Sequence, residues 1–278
     1  GRSLVKIVHQ LLEEFVFESE LYTMDEYDLR MAEEYLEQYA FSLQLFVQQG
    51  DAVDWLEELN GIETLVIMPR LVTDILNEKL FTKKLPVVFS SATLSVKKDF
   101  TYIADSLGIE QHHSFSVASP FDYEEVMKIE GHTVEANEKQ AKVIEILNTS
   151  LEPTLLLFKT KHDMFMFEQS LTVDERVTMV FEGERELSSI VRDFQAGRIS
   201  VLCSYHLWEG LDLPGQSLTR VILFDLPFPP SDPLFDAKRD FSNDPFEEVD
   251  MPFMLLRLQQ GIGRLIRTSA DQGVIHLL

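Results

Sequence analysis

A single cysteine, Cys203 in the apolar run SVLCS, is all the thiol chemistry that the 278 residues hold. A disulfide within the chain is thereby excluded, and a cysteine zinc site or an iron–sulfur cluster has no ligands to use. Cys203 reads as buried filler. No metal site is expected. No apolar run reaches 18 residues, and the opening GRSLVKIVHQ has neither the apolar core nor the cleavage site of a signal peptide. A soluble, cytoplasmic chain without membrane contact is expected. Positive charge is also scarce, 24 Lys and Arg against 47 Asp and Glu for a net charge of −23. That balance excludes a surface that attracts nucleic acid everywhere, because phosphate binding needs clustered cations. An initiator Met, internal repeats and low-complexity tracts are missing too. The chain stops at VIHLL, an apolar strand-like run, and both ends read as cut from something longer.

What is present is a globular composition, 45% hydrophobic, with an uneven spread of charge. Residues 1–60 carry 14 acidic against three basic residues, whereas residues 61–120 carry six of each. Acidity belongs to the front of the chain and to patches such as FEEVD, which leaves room for a local basic groove elsewhere.

From Leu4 to Leu59 apolar residues recur at spacings of three and four. The expectation is an N-terminal all-helical segment of two long helices and a short one, DAVDWLEEL, with Asp51 as its N-cap. From residue 64 the period changes. TLVIM, PVVFS, TLLLF, VTMVF, SVLCS, RVILF and VIHLL read as strands, and DFTYIADSL, EKQAKVIEILNTS, KHDMFMFEQSL, ERELSSIVRDF and FMLLRLQQGIG as the helices between them. Continuous rather than alternating hydrophobicity predicts an α/β fold, a parallel sheet with helices on both faces. A boundary falls near SPFDYEEVMK, residues 119–128.

In such sheets ligands sit beyond the carboxyl ends of the strands, where SATLS, KTKHD, YHLWEGLDLPG and LPFPPSDP stand. Each has a plain alternative. SSATLS can cap the helix that follows, WEGLDLPG can be a turn using Gly210 and Gly215, KTKHD can be a solvated helix start, and LPFPPSDP a stiff surface loop. Arg264 and Arg267 of QGIGRLIRTSADQG can be cations at a helix C-terminus.

In order and spacing, however, SSATLS (90–95), TLLLFKTK, YHLWEGLDLPG, LPFPP (226–230) and QGIGRLIR resemble successive motifs of the DinG and XPD branch of superfamily 2 DNA helicases. SSATLS is similar to motif III, TLLLFKTK to motif IV, YHLWEGLDLPG to motif V, and QGIGRLIR to motif VI in its form QxxGRxxR. The SPF of SPFDY resembles the crossover between the two motor lobes. The resemblance runs from about residue 62 to the end and implies a RecA-like motor lobe. It also implies roles. Arg264 and Arg267 would be arginine fingers on the γ-phosphate of ATP, with Gln260 between nucleotide and motor; a planar, permanently charged guanidinium suits a phosphoryl-transfer transition state. Gly263 would permit close backbone approach. Glu209, Gly210 and Asp212 would lie beside the nucleotide. Ser91, Ala92 and Thr93 would couple hydrolysis to DNA movement. Phe158, Lys159, Thr160 and Trp208 would contact single-stranded DNA, where charge and base stacking set affinity.

Departures from the pattern are equally clear. No GxxxxGKS or GxxxxGKT loop and no DEAH or DECH box occurs in the sequence, and the four cluster-ligating cysteines of XPD-like members are missing. Leu207 stands where motif V usually opens on an aromatic. The resemblance then implies residues 1–60 as an arch remnant, 61–118 as the end of the first lobe and 119–278 as the second lobe. The longer protein would be a monomeric ATP-dependent 5′–3′ DNA helicase using ATP and Mg²⁺ on single-stranded or forked DNA in repair or replication, and this chain alone would be inactive. The competing expectation is a degenerate helicase fold acting as a nucleic-acid or protein platform, attached to a nuclease domain.

Overall fold

The computed structural model describes residues 2–19, 26–48, 52–59, 61–70, 72–91, 93–95, 98–172, 179–209, 217–266, 268 and 270–278. Two compact units divide the chain, one of residues 1–87, 104–110 and 231–245, the other of residues 88–103, 111–230 and 246–278.

In the first unit, α1 (Arg2–Ser19) and α2 (Glu26–Val47) follow the helical periodicity and pack on each other. The expected third helix does not form. DAVDWLEEL is instead strand β1 (Ala52–Leu59), paired antiparallel with β2 (Ile62–Pro69). The reason is local. Register pairs Leu59 with Ile62, so only Asn60 and Gly61 connect the strands, and Gly61 has φ +78°. Asn-Gly is a preferred two-residue hairpin connection because both positions tolerate positive φ. TLVIM is therefore a strand, but of this hairpin rather than of the parallel sheet. Helix α3 (Val72–Lys79) follows.

PVVFS is not a strand. Val88 and Phe89 are exposed, Val88 at 88%. A parallel strand exists only as a hydrogen-bonded neighbour of another, and among the described residues none pairs with this segment. Helix α4 (Thr101–Leu107) is capped by Asp99, whose Oδ1 accepts from the Thr101 amide at 2.9 Å, and not by SSATLS.

The second unit holds the parallel sheet. After the four-residue α5 (Tyr123–Val126) come β3 (Met127–Gly131), α6 (Lys139–Thr149), β4 (Thr154–Leu157), α7 (Lys161–Ser170) and β5 (Met179–Phe181). Then come α8 (Leu187–Gln195), β6 (Val201–Ser204), β7 (Arg220–Leu223), α9 (Pro233–Asp240), α10 (Met251–Ile262) and β8 (Gly273–Leu277), with α9 belonging to the first unit. The strand order is β3-β8-β7-β4-β6-β5. Every pairing in this sheet is parallel. Strand β3 lies in the stretch taken from the sequence as a polar boundary.

Alternation along each strand builds two cores, one per face. Leu155, Leu157, Leu202, Val221, Leu223 and Ile275 point to the side covered by Ile190 and Phe194 of α8 and by Leu265 and Ile266. Leu156, Phe158, Val201, Cys203 and Ile222 point to the side covered by Val143 and Ile146 of α6 and by Met164 and Phe167 of α7. Burial on both faces is why these strands read as unbroken apolar runs. Cys203 is buried, as expected of filler. Among the described residues no helix is long and apolar enough to cross a membrane.

Candidate functional site

The carboxyl ends of β4 and β6 and the end of α10 converge on Trp208. Its indole is 1% exposed, and its Nε1–H donates to the Phe158 carbonyl at 2.8 Å. That bond joins the turn after β6 to the end of β4. From the other side, the Arg264 Nε–H donates to the Trp208 carbonyl at 3.0 Å. Helix α10 lies tightly against the same ring: a Cβ added at Gly261 would stand 2.9 Å from Trp208 Cε3 and 3.5 Å from Leu157 Cδ1. Only a glycine fits there. One turn earlier the Arg257 guanidinium lies over the indole, 5.2 Å from its centroid, a cation–π contact. Burial pulls the Arg257 pKa below its ordinary value, and the Glu209 carboxylate opposes that pull.

The turn entering Trp208 is held from β5. Glu182, just beyond Phe181, accepts from Ser204 Oγ at 2.5 Å and from the amides of Tyr205 and His206 at 3.2 Å each. Its other oxygen meets His206 Nδ1 at 2.5 Å, while Ser204 Oγ accepts from the Leu207 amide at 2.9 Å. Burial alone would raise the Glu182 pKa, but the bonds from Ser204, His206 and Tyr205 outweigh it and hold the carboxyl below its ordinary value. A buried carboxylate thus fixes three successive residues, 204–206, and through Ser204 Oγ the Leu207 amide just ahead of Trp208.

Ser91 and Thr93 form their own small turn, the Thr93 amide donating to Ser91 Oγ at 3.2 Å. Gln260 on α10 reaches it, its Nε2–H donating to Thr93 Oγ1 at 3.4 Å. Three separate stretches, 91–93, 204–209 and 257–264, therefore converge through side chains and main chain.

With this geometry established, comparison with known proteins is specific. Residues 143–278 match the family described as the helicase C-terminal domain. The chain is 48% identical, over 99% of its length and 43% of the relative's, to the "probable ATP-dependent helicase YpvA" of Bacillus subtilis. It is 32% identical, over 80% of its length and 37% of the relative's, to the ATP-dependent DNA helicase YoaA of Escherichia coli. A solved structure titled as apo XPD superposes with a TM-score of 0.63 at 18% identity, covering 96% of this chain and 57% of that one, and shows the shared fold. The chain resembles the C-terminal region of DinG/XPD-like helicases. It spans less than half the length of the two relatives named.

Within this helicase region the fold brings Ser91, Thr93, Glu209, Gln260, Gly263 and Arg264 into one unit, the one that also holds the parallel sheet. Ala92, Gly210, Asp212 and Arg267 lie outside the described residues. Gly263 ends α10, where an added Cβ would meet only the Gln259 and Gln260 carbonyls, at 3.1 and 3.5 Å. Glu209 is exposed, while Lys159 is half-buried.

Two of the expected DNA contacts are corrected. Phe158 is 0% exposed, its ring 5.2 Å from that of Phe167 and 5.0 Å from that of Phe224, and Trp208 is 1% exposed. Neither ring can stack on a base, because each is already committed to the core. Thr160 caps α7: its Oγ1 accepts from the Asp163 amide at 3.1 Å and donates to Asp163 Oδ2 at 2.6 Å. The plain reading of KTKHD as a helix start holds for that hydroxyl.

Sequence reasoning missed Gly261, Arg257 and Glu182. Gly261 carried a signal, a glycine inside a helical pattern, which usually has a packing reason. Glu182 carried none, since its partners lie 22 to 24 residues away.

Proposed function

We propose that this helicase region supplies the arginine-finger half of an ATPase motor acting on single-stranded or forked DNA with 5′–3′ movement. Arg264 contacts the γ-phosphate side of ATP, with Arg267 as its second cation and Gln260 linking that contact to the Ser91–Thr93 turn. Residues 61–118 end the first motor lobe, 119–278 form the second, and 1–60 belong to the arch. One observation carries the reading. The Arg264 Nε–H is spent on the Trp208 carbonyl, so the guanidinium is oriented by the turn that bears Glu209. An oriented, permanently charged fork is what electrostatic stabilisation of phosphoryl transfer needs.

The phosphate loop and the DEAH or DECH box are absent from the sequence. Among the described residues around Trp208 the carboxylates are Glu209 and Glu182, the latter already bonded to Ser204, Tyr205 and His206, against the several oxygens that Mg²⁺ takes. The phosphate and Mg²⁺ ligands come from the rest of the longer protein, and this chain alone does not hydrolyse ATP. DNA binding falls to half-buried Lys159 and the exposed edge of the sheet rather than to Phe158 or Trp208. The deciding measurement is DNA-stimulated ATPase of the full-length protein with and without Arg264→Ala. Wild-type stimulation in the variant would sink the arginine-finger assignment.

A further inference from the structure

Apart from the Trp208 site, one cluster of ligand-type side chains stands out at the edge of the sheet. In the parallel ladder of β3 and β8, Glu130 is the register partner of His276. His132 lies two residues beyond Glu130, and its amide donates to the Leu277 carbonyl at 2.8 Å, carrying the ladder past the end of β3. Residues two apart on a strand and register partners on adjacent strands share a face. All three side chains therefore project from one side, opposite to that of Ile275.

The donor atoms are close. His132 Nε2 lies 3.0 Å from His276 Nδ1, and His276 Nδ1 lies 3.3 Å from Glu130 Oε2. All three ligand atoms fall within 4.8 Å of one another. Metal–ligand bonds of about 2.0–2.2 Å at tetrahedral angles put neighbouring ligand atoms roughly 3.3 Å apart. The two short separations already match that edge. With neutral rings the arrangement is also in conflict. A protonated Nδ1 can donate to only one of its two neighbours, and a bare Nδ1 that accepts from His132 Nε2–H turns its lone pair on the Glu130 carboxylate as well. A cation removes the conflict.

We propose that Glu130, His132 and His276 bind a divalent transition-metal ion of the Zn²⁺ class, clamping edge strand β3 to β8 across 144 residues of chain. Two imidazoles and one carboxylate suit Zn²⁺ or Co²⁺ and not the all-oxygen preference of Mg²⁺ or Ca²⁺. Outer contacts support the ligands. Lys128 Nζ holds the other Glu130 oxygen, Oε1, at 2.5 Å, leaving Oε2 turned to the histidines.

The test is a Co²⁺ titration of the metal-stripped 278-residue chain, read by visible absorption, with Zn²⁺ as competitor and thermal melting as second readout. The expected result is one saturable Co²⁺ displaced by Zn²⁺, with a melting temperature raised by metal. In His132→Ala, chosen because His132 is only half-buried, the Kd rises about 100-fold or more, beyond the 10–100-fold usual for losing outer-shell support alone. Melting without metal stays at the wild-type value. Glu130→Gln behaves alike and serves if the alanine variant is unfolded. No saturable absorption in wild type, or equal binding by both variants through other surface groups such as His112 and His113, overturns the proposal.

Discussion

Arg264 donates its Nε–H to the main-chain carbonyl of Trp208 at 3.0 Å, while the Trp208 indole donates to the Phe158 carbonyl at 2.8 Å. A side chain near the end of the chain is thus oriented through one turn onto the central strand of the sheet.

Changing Arg264 therefore tests both charge and geometry. Arg264→Ala should lower DNA-stimulated ATPase of the full-length protein by about 10³-fold or more, the scale of a lost arginine finger. Arg264→Lys should not rescue it, because an ammonium keeps the charge but lacks the planar fork and its Nε–H. Near-normal ATPase in the lysine variant would show that only charge matters.

Trp208→Phe should destabilise the chain by about 1–3 kcal/mol, since the buried Phe158 carbonyl would lose its donor. Single-stranded DNA affinity should stay unchanged in the same variant, because the ring is 1% exposed. Chemical denaturation and fluorescence anisotropy with labelled DNA separate the two effects. A large loss of DNA affinity in a stably folded variant would restore Trp208 as a base-stacking residue.

Gly261→Ala should be destabilising even though alanine favours helix by about 1 kcal/mol. The new Cβ would meet the Trp208 ring at 2.9 Å, and overpacking a rigid aromatic costs about 1–3 kcal/mol. Gly263→Ala, whose Cβ meets two helix carbonyls and no side chain, should cost less. Denaturation midpoints of the two variants, measured together, give the order directly.

Acid should loosen the turn before Trp208. The Glu182 carboxyl titrates below its ordinary 4.5 in the folded chain, so the stability it contributes is present above about that pH and is lost as pH falls through the folded value. Glu182→Gln should lower stability near neutrality by about 1–3 kcal/mol and flatten this acid limb. Melting curves from pH 7 down to pH 3 check both, and an unchanged acid limb in the variant would exclude Glu182 as its source.

Legibility differed from element to element for physical reasons. TLLLF, SVLCS and RVILF were readable as strands because burial on both faces leaves no polar positions. DAVDWLEEL was misread because its apolar spacing suits a helix, while the deciding feature, Asn-Gly, lies just past its end. PVVFS has the composition of a strand, but composition cannot supply a hydrogen-bonding neighbour. Phe158 and Trp208 looked available for bases because aromatics beside loops often are; the rings of Phe167 and Phe224 and the face of Gly261, open because it has no Cβ, claim them instead.

What the sequence by itself determined is the α/β class, since that follows from patterning; the order of the motifs and the candidate arginines came with the resemblance to the helicase family. The tertiary structure alone decided that Glu182 grips residues 204–206, that Gly261 admits the Trp208 ring, and that Glu130, His132 and His276 meet. Each is a contact between strands and turns far apart in the chain, and only the crossover order of the parallel sheet makes such residues neighbours.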